Sequence, residues 1–181
     1  MEDLVMESYS LKKFSLSDFD KMETKDENNY ELIDGIVFMS PRPSAKHQGV
    51  MGNLYLEIGN FLKGKPCRVF TEIELEYKDN VLIPDISVIC GLENTNFQRY
   101  KKAPEIVMEI LSPSSRYTDT FTKLIKYELL GVKEYWIVNP EKETVTIYNF
   151  EIKTNNDFSK PDKIVSNVFD ELEIDLRDVF F

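Results

Sequence analysis

Two carboxylates sit where carboxylates are costly. Asp85 lies at the head of the run PDISVIC (residues 84–90) and Glu109 lies inside EIVMEIL (residues 105–111). Both runs are otherwise nearly continuous in apolar and β-branched residues, the pattern of central strands covered on both faces. An unpaired charge there is strongly unfavourable unless a cation, a partner or a solvent cleft compensates it. If the two strands are neighbours and both acids lie at the same end, their oxygens, waters and the Ile110 backbone carbonyl can hold one Mg²⁺ or Mn²⁺. Such an ion activates water and shields a phosphate. Pro84-Asp85 has a bland alternative as a turn initiator, whereas Glu109, set between Met108 and Ile110, has none.

Other candidates carry weaker signals. His47, the only histidine, shares a helix face with Met51 and Leu54 and points inward at the helix's first turn, as a core histidine or a site histidine would. Asp119, Lys123 and Tyr127 repeat every four residues along one helical stripe, which by spacing alone is a solvent-facing Asp-Lys pair. Glu31 is either a charge on the exposed face of an edge hairpin or a further acid of the site. Arg99, Lys101 and Lys102 flank Tyr100 in the loop between the acid-bearing strands, where they are a solvated loop or a weak phosphate-backbone contact. One histidine and two cysteines, Cys67 and Cys90, cannot furnish a zinc site. Both cysteines fall in apolar strand-like runs and are expected as buried free thiols.

The elements that must position these residues follow from periodicity. Ser15 or Ser17 caps a short N-terminal helix. YELIDGIVFMSP is two apolar runs joined by Asp34-Gly35, a tight hairpin turn. From Ser44 to Leu62, Met51, Leu54, Ile58, Phe61 and Leu62 recur at helical spacing, and Gly64 with Pro66 stops the helix. Arg68 to Tyr77 alternates as one strand with a wetter face. After the two acid-bearing strands, SPSSRYTD leads into a helix ending near Gly131 and then into the strands EYWIVNP and TVTIYNFE. Strand, helix, strand implies a right-handed crossover and an α/β fold with a mixed central sheet flanked by helices. The region from Lys163 to Phe181 reads as an edge strand and closing turn.

At 181 residues the chain has the size of one domain, with a core over about 30–150, an N-terminal helical segment over 1–29 and a C-terminal part over 151–181. No apolar run approaches membrane-spanning length and no secretory leader is visible, so a cytoplasmic protein is expected. A net charge of −10 argues against binding nucleic acid through bulk positive potential, although acids that hold a cation are offset by it.

In this order, YELIDG, His47 in the first long helix, PDISVI, EIVMEILSPSS, Asp119 with Lys123 and Tyr127, and GVKEYWIVNP resemble the Uma-type restriction endonuclease family of the PD-(D/E)XK nuclease superfamily. The match runs from about Tyr30 to Phe150. The resemblance implies a restriction-endonuclease-like core, a Mg²⁺ or Mn²⁺ cofactor held by Asp85 and Glu109, Glu31 as a further acid, and DNA as partner. Two residues after Glu109 stands Leu111, where many such nucleases place a lysine; the resemblance moves that role to Lys123 on the following helix. His47 would assist from its helix. Two readings follow: a metal-dependent endonuclease hydrolysing DNA phosphodiester bonds, working as a homodimer on two strands, or a nuclease-fold binding or assembly module without turnover.

Overall fold

The computed structural model describes residues 13–23, 28–40, 42–112 and 118–181, with the side chains of 118–120 left aside. The first helix, α1 (Leu16–Asp20), is capped by Ser15, whose hydroxyl accepts from the Asp18 amide while the Asp18 carboxylate accepts from the Ser15 amide, a reciprocal capping box. The hairpin β1 (Asn29–Ile33) and β2 (Ile36–Ser40) turns at Asp34 and Gly35. Both turn residues take positive φ, 53° and 81°, as a two-residue hairpin loop requires.

Helix α2 (Ala45–Phe61) starts at the cap Ser44 and buries His47, Val50, Leu54 and Ile58. The alternating stretch that follows is two strands rather than one. β3 (Cys67–Thr71) pairs with β6 (Ile86–Cys90), whereas β4 (Leu75–Tyr77) pairs with β5 (Asn80–Leu82) in a different sheet. The chain changes sheets at Glu72, a non-glycine residue at φ 49°. Period-two alternation continues across that switch, so the break leaves no trace in the hydrophobic pattern.

The large sheet runs β10-β9-β8-β7-β6-β3 and the small one β2-β1-β5-β4. β7 (Ile106–Ile110) and β8 (Glu134–Asn139) are parallel. They are joined through a π-helical segment, Thr118–Lys123, that runs into α3 (Leu124–Leu130). Gly131, at φ 96°, ends α3 in the left-handed conformation. β9 (Thr144–Asn149) follows, and β10 (Thr154–Ser159) forms the sheet edge. TNNDFS carries no apolar alternation to announce β10, which forms by pairing with β9. The segment expected as the edge is instead a separate hairpin, β11 (Lys163–Val165) and β12 (Glu173–Asp175), followed by α4 (Leu176–Val179).

Strand alternation splits the core into two layers. Ile106, Met108, Ile110, Trp136 and Val138 face α2 and the C-terminal hairpin. Val107, Tyr135 and Ile137 face the other way, against Tyr127 of α3 and Ile33, Leu75 and Leu82 of the small sheet. Glu109 alternates with Met108 and Ile110 and so projects into this second layer, where α3 and β1 meet.

Cys67 and Cys90, expected as separate free thiols, are opposite each other in the β3–β6 ladder and form a disulfide, with Cα atoms 3.9 Å apart. The pairing depends on the register of strands 23 residues apart, which composition cannot reveal. Closing a loop of that length is worth about 3 kcal/mol. Reduction should therefore lower the urea stability of the protein by about that amount.

Candidate functional site

The end of β7 needs an acceptor that β6 does not supply. The β6–β7 ladder ends with Ile86 opposite Met108, and the chain before it is Pro84-Asp85. Asp85 Oδ2 takes the place of the missing ladder partner, accepting from the Ile110 amide at 2.6 Å. Continued one step, the register sets Asp85 opposite Glu109 at the strand ends. The turn-initiating role open to Pro-Asp is therefore replaced by a strand-capping one. The Asp85 side chain remains 18% exposed.

Glu109 is buried, and its Oε1 accepts from Lys123 Nζ at 2.9 Å and from the Tyr127 hydroxyl at 2.6 Å. Lys123 Nζ also lies 2.9 Å from Glu31 Oε1, which accepts from the Ile83 amide at 2.7 Å. The side chains of Lys123, Glu31 and Glu109 are each 4% exposed. Spacing alone made Lys123 a solvent-facing residue, but at the end of the π-helical turn its ammonium is delivered inward. Asp119 lies on that turn, and its side chain is outside the described residues. Glu31 is not on an edge either, because β1 is flanked by β2 and β5. Burial pushes the Tyr127 hydroxyl well above its ordinary pKa, reinforced by the charges of Glu109 and Glu31, so it stays protonated and donates to Glu109.

His47 approaches from the opposite layer. Its Nε2 is 3.4 Å from Asp85 Oδ2. Burial acts to lower its pKa, yet the Asp85 bond and charge, the Ile110 carbonyl and the charge of Glu72 raise it overall. Nδ1 is buried without a hydrogen-bond partner among the described residues. His47 thus contacts Asp85 and the Ile110 carbonyl together.

The donor set suits a hard divalent cation: carboxylates and a backbone carbonyl, with no thiolate. Glu31 and Glu109 bring two negative charges against the one positive charge of Lys123, and Asp85 adds a third, so the cluster is negative in excess at a site that disfavours uncompensated charge. Among the described residues no three His, Cys, Asp or Glu side chains already form a cage.

Arg99 and Lys101 lie apart from this cluster. Arg99 Nε is 2.6 Å from Glu74 and its Nη1 is 2.6 Å from Asp20, while Lys101 Nζ is 2.7 Å from Glu76. Lys102 is exposed.

Residues 16–177 match the model of the family described as "Uma2: Putative restriction endonuclease". The chain belongs to the Uma2 family. The fold agrees with a crystal structure from Anabaena variabilis ATCC 29413, described as a "putative nuclease belonging to DUF820". That structure superposes with a TM-score of 0.82 and 24% identity over 92% of this chain and 97% of the other. An "Uncharacterized protein" of Synechocystis sp. strain PCC 6803 is 23% identical over 144 residues, 76% of this chain and 74% of that protein.

Against this Uma2 architecture, two residues at the cluster had been given no role from the sequence. Tyr127 stands in the family motif, and its direct bond to Glu109 follows from sitting one α-helical turn after Lys123. Glu72, which acts on His47, looks like an ordinary strand residue. Its only distinction is the positive φ that the structure reveals.

Proposed function

We propose that this protein is a metal-dependent nuclease that hydrolyses DNA phosphodiester bonds at the cluster of Asp85, Glu109 and Lys123. The observation that carries the reading is the placement of the Lys123 ammonium, delivered from the crossover helix to Glu109 beside the Asp85-capped strand end. Asp85, Glu109 and the Ile110 carbonyl would hold Mg²⁺ or Mn²⁺. When bound, the ion would polarise the scissile phosphate and lower the pKa of attacking water.

The chain's own groups do the rest. Water attacks phosphorus in line and gives its proton to solvent, the bond from phosphorus to the leaving oxygen breaks, and the leaving alkoxide takes up a proton from solvent. Lys123 supplies a fixed positive charge where the phosphorane accumulates negative charge. Glu31, through its contact with Lys123 and the Ile83 amide, orients that ammonium. Tyr127 holds one oxygen of Glu109 and so limits the rotation of its carboxylate. His47 holds Asp85 from the other layer.

One observation favours a different reading. Lys123, Glu31 and Glu109 satisfy one another at 4% exposure, as an internal strut of a nuclease-fold binding or assembly module would.

Plasmid nicking in Mg²⁺ and Mn²⁺, alongside calorimetric metal titration, separates the two. The wild type should nick only with metal. Asp85→Asn keeps an acceptor for the Ile110 amide and should fold normally, but it should bind metal at least about tenfold more weakly and lose nicking. Absence of both metal binding and cleavage in the wild type would leave the module reading standing.

A further inference from the structure

The helix that carries Lys123 turns two different faces to its surroundings. Lys123 and Tyr127 point inward to Glu109. On the outer side stand Ile125 and Leu129 of α3 and Phe121 of the π-helical turn, each 56–58% exposed. A solvent-facing helix surface is normally polar. Two further apolar side chains of similar exposure extend the patch, Ile36 and Ile152. Ile36 follows the turn residues Asp34 and Gly35, and Lys126 holds Asp34; Ile152 precedes Lys153, which pairs with Glu128. Lys126 and Glu128 lie on opposite sides of Ile125 and Leu129 at helical spacing, so each ion pair brings one isoleucine to one flank.

Five apolar side chains, each about half exposed, amount to roughly 500 Å². That is near the upper end of the patches a monomer carries, and more than half of the roughly 800 Å² that each partner of a standard interface buries. The charges around the patch cancel, Lys126 and Lys153 against Asp34 and Glu128, on a chain whose net charge is −10. Two such acidic copies repel each other least through a neutral face. An anionic partner gains little there, because both lysines are already paired with carboxylates. The two flanks are nevertheless unlike. In each ion pair one member is the more exposed, and it is the acid Asp34 on one flank and the base Lys153 on the other.

We propose that this face is a homodimer interface, in which a second copy of the chain lays the same helix parallel to the first. A two-fold axis running along the helices sets Ile125 on Ile125 and Leu129 on Leu129. It also turns the Asp34 flank of one copy to the Lys153 flank of the other. The two meet at nearly one level, because Lys126 and Glu128 are only about 3 Å apart along the helix. An antiparallel pairing sets Asp34 against Asp34 and Lys153 against Lys153, so the unlike flanks select the parallel one. The two Glu109–Lys123 clusters then lie back to back on the outer sides of the helix pair, and the interface forms whether or not they cleave DNA.

Sedimentation equilibrium on the whole chain, from about 1 to 100 µM, should show a reversible dimer. Ile125→Asp places an unpaired charge at the centre of the face and should weaken association at least about hundredfold. Its far-UV circular dichroism should stay that of wild type, because the position is on the surface of the monomer. Leu129→Cys reads the direction of pairing. The two native cysteines are joined to each other, so the added thiol is the one left to oxidise. A parallel pair should give a disulfide-linked dimer under mild oxidation, whereas an antiparallel pair centred on Ile125 holds the two thiols roughly 12 Å apart along the axis, out of reach. A wild-type chain that stays monomeric throughout, an Ile125→Asp variant that dimerises as well as wild type, or a Leu129→Cys variant that cross-links no faster than Glu93→Cys overturns the proposal. A monomer that nicks DNA with metal overturns the interface and spares the nuclease reading. A dimer that cross-links through Leu129→Cys and cleaves nothing does the reverse.

Discussion

Lys123→Met should reduce nicking by about 10²–10³-fold and destabilise the fold as well. The ammonium is the shared partner of Glu31 and Glu109, 2.9 Å from each. Its removal strands two buried carboxylates, a loss of the order of 3–5 kcal/mol when one side of a buried pair is deleted. Lost activity in the single variant is therefore ambiguous between chemistry and unfolding. The double variant Lys123→Met, Glu31→Gln resolves this, because the neutral amide removes one stranded charge, leaves the proposed ligands Asp85 and Glu109 in place and should recover part of the lost stability. If Lys123 acts on the reacting phosphate, the recovered fold still does not cleave. If the double variant, or a folded fraction of Lys123→Met, nicks at the wild-type rate, Lys123 is a strut and not a catalytic residue. Urea unfolding and a plasmid assay on the same preparations read both quantities.

What the sequence disclosed here, and what it hid, divides along one line. Asp85 and Glu109 were visible because an acid in an apolar strand violates local expectation, and such a violation needs no knowledge of neighbours. The strands β1, β2, β6, β7, β8 and β9 and the helix α2 were legible for the same local reason: periodicity and turn residues. Lys123 was not visible from spacing. It ends a π-helical segment, Thr118–Lys123, whose i→i+5 turns widen the helix, so a four-residue repeat no longer defines a straight outer stripe. Only the family resemblance pointed to it. Glu31 could not be told apart as an edge charge or a further site acid, because the pairing that buries it, Leu32 opposite Val81, joins strands far apart in sequence. The Cys67–Cys90 bond depends on register in the same way. The sheet change at Glu72 and the polar edge strand β10 are decided by backbone geometry and pairing, which leave hydrophobic alternation either unbroken or absent.

The rule that found Glu109 also marks Glu134, an acid at the head of the apolar run EYWIVN, and there the outcome is structural. Glu134 is fully buried and points into the opposite layer. Its Oε2 accepts from Trp136 Nε1 at 3.0 Å and from the Ser166 hydroxyl at 2.9 Å. Its Oε1 accepts from the Asn167 amide at 2.7 Å, with the side-chain amides of Asn149 and Asn167 at 3.4 Å. These partners are neutral donors from β8, β9 and the loop after β11. The carboxylate therefore ties the C-terminal hairpin onto the large sheet and offers nothing to a substrate. Glu134→Ala would leave the indole, the hydroxyl and a backbone amide without their acceptor, at a cost of about 3–4 kcal/mol. At an m-value of about 2 kcal/mol per molar urea, that lowers the midpoint by roughly 1.5–2 M. Trp136 is the only tryptophan in the chain, so its fluorescence follows the network directly and should change before unfolding begins. The fraction that remains folded should still bind metal and nick DNA with the wild-type metal dependence. If Glu134→Ala abolished cleavage while leaving the urea midpoint unchanged, the carboxylate would belong to the chemistry, and the two layers could not be the separate compartments that strand alternation makes them.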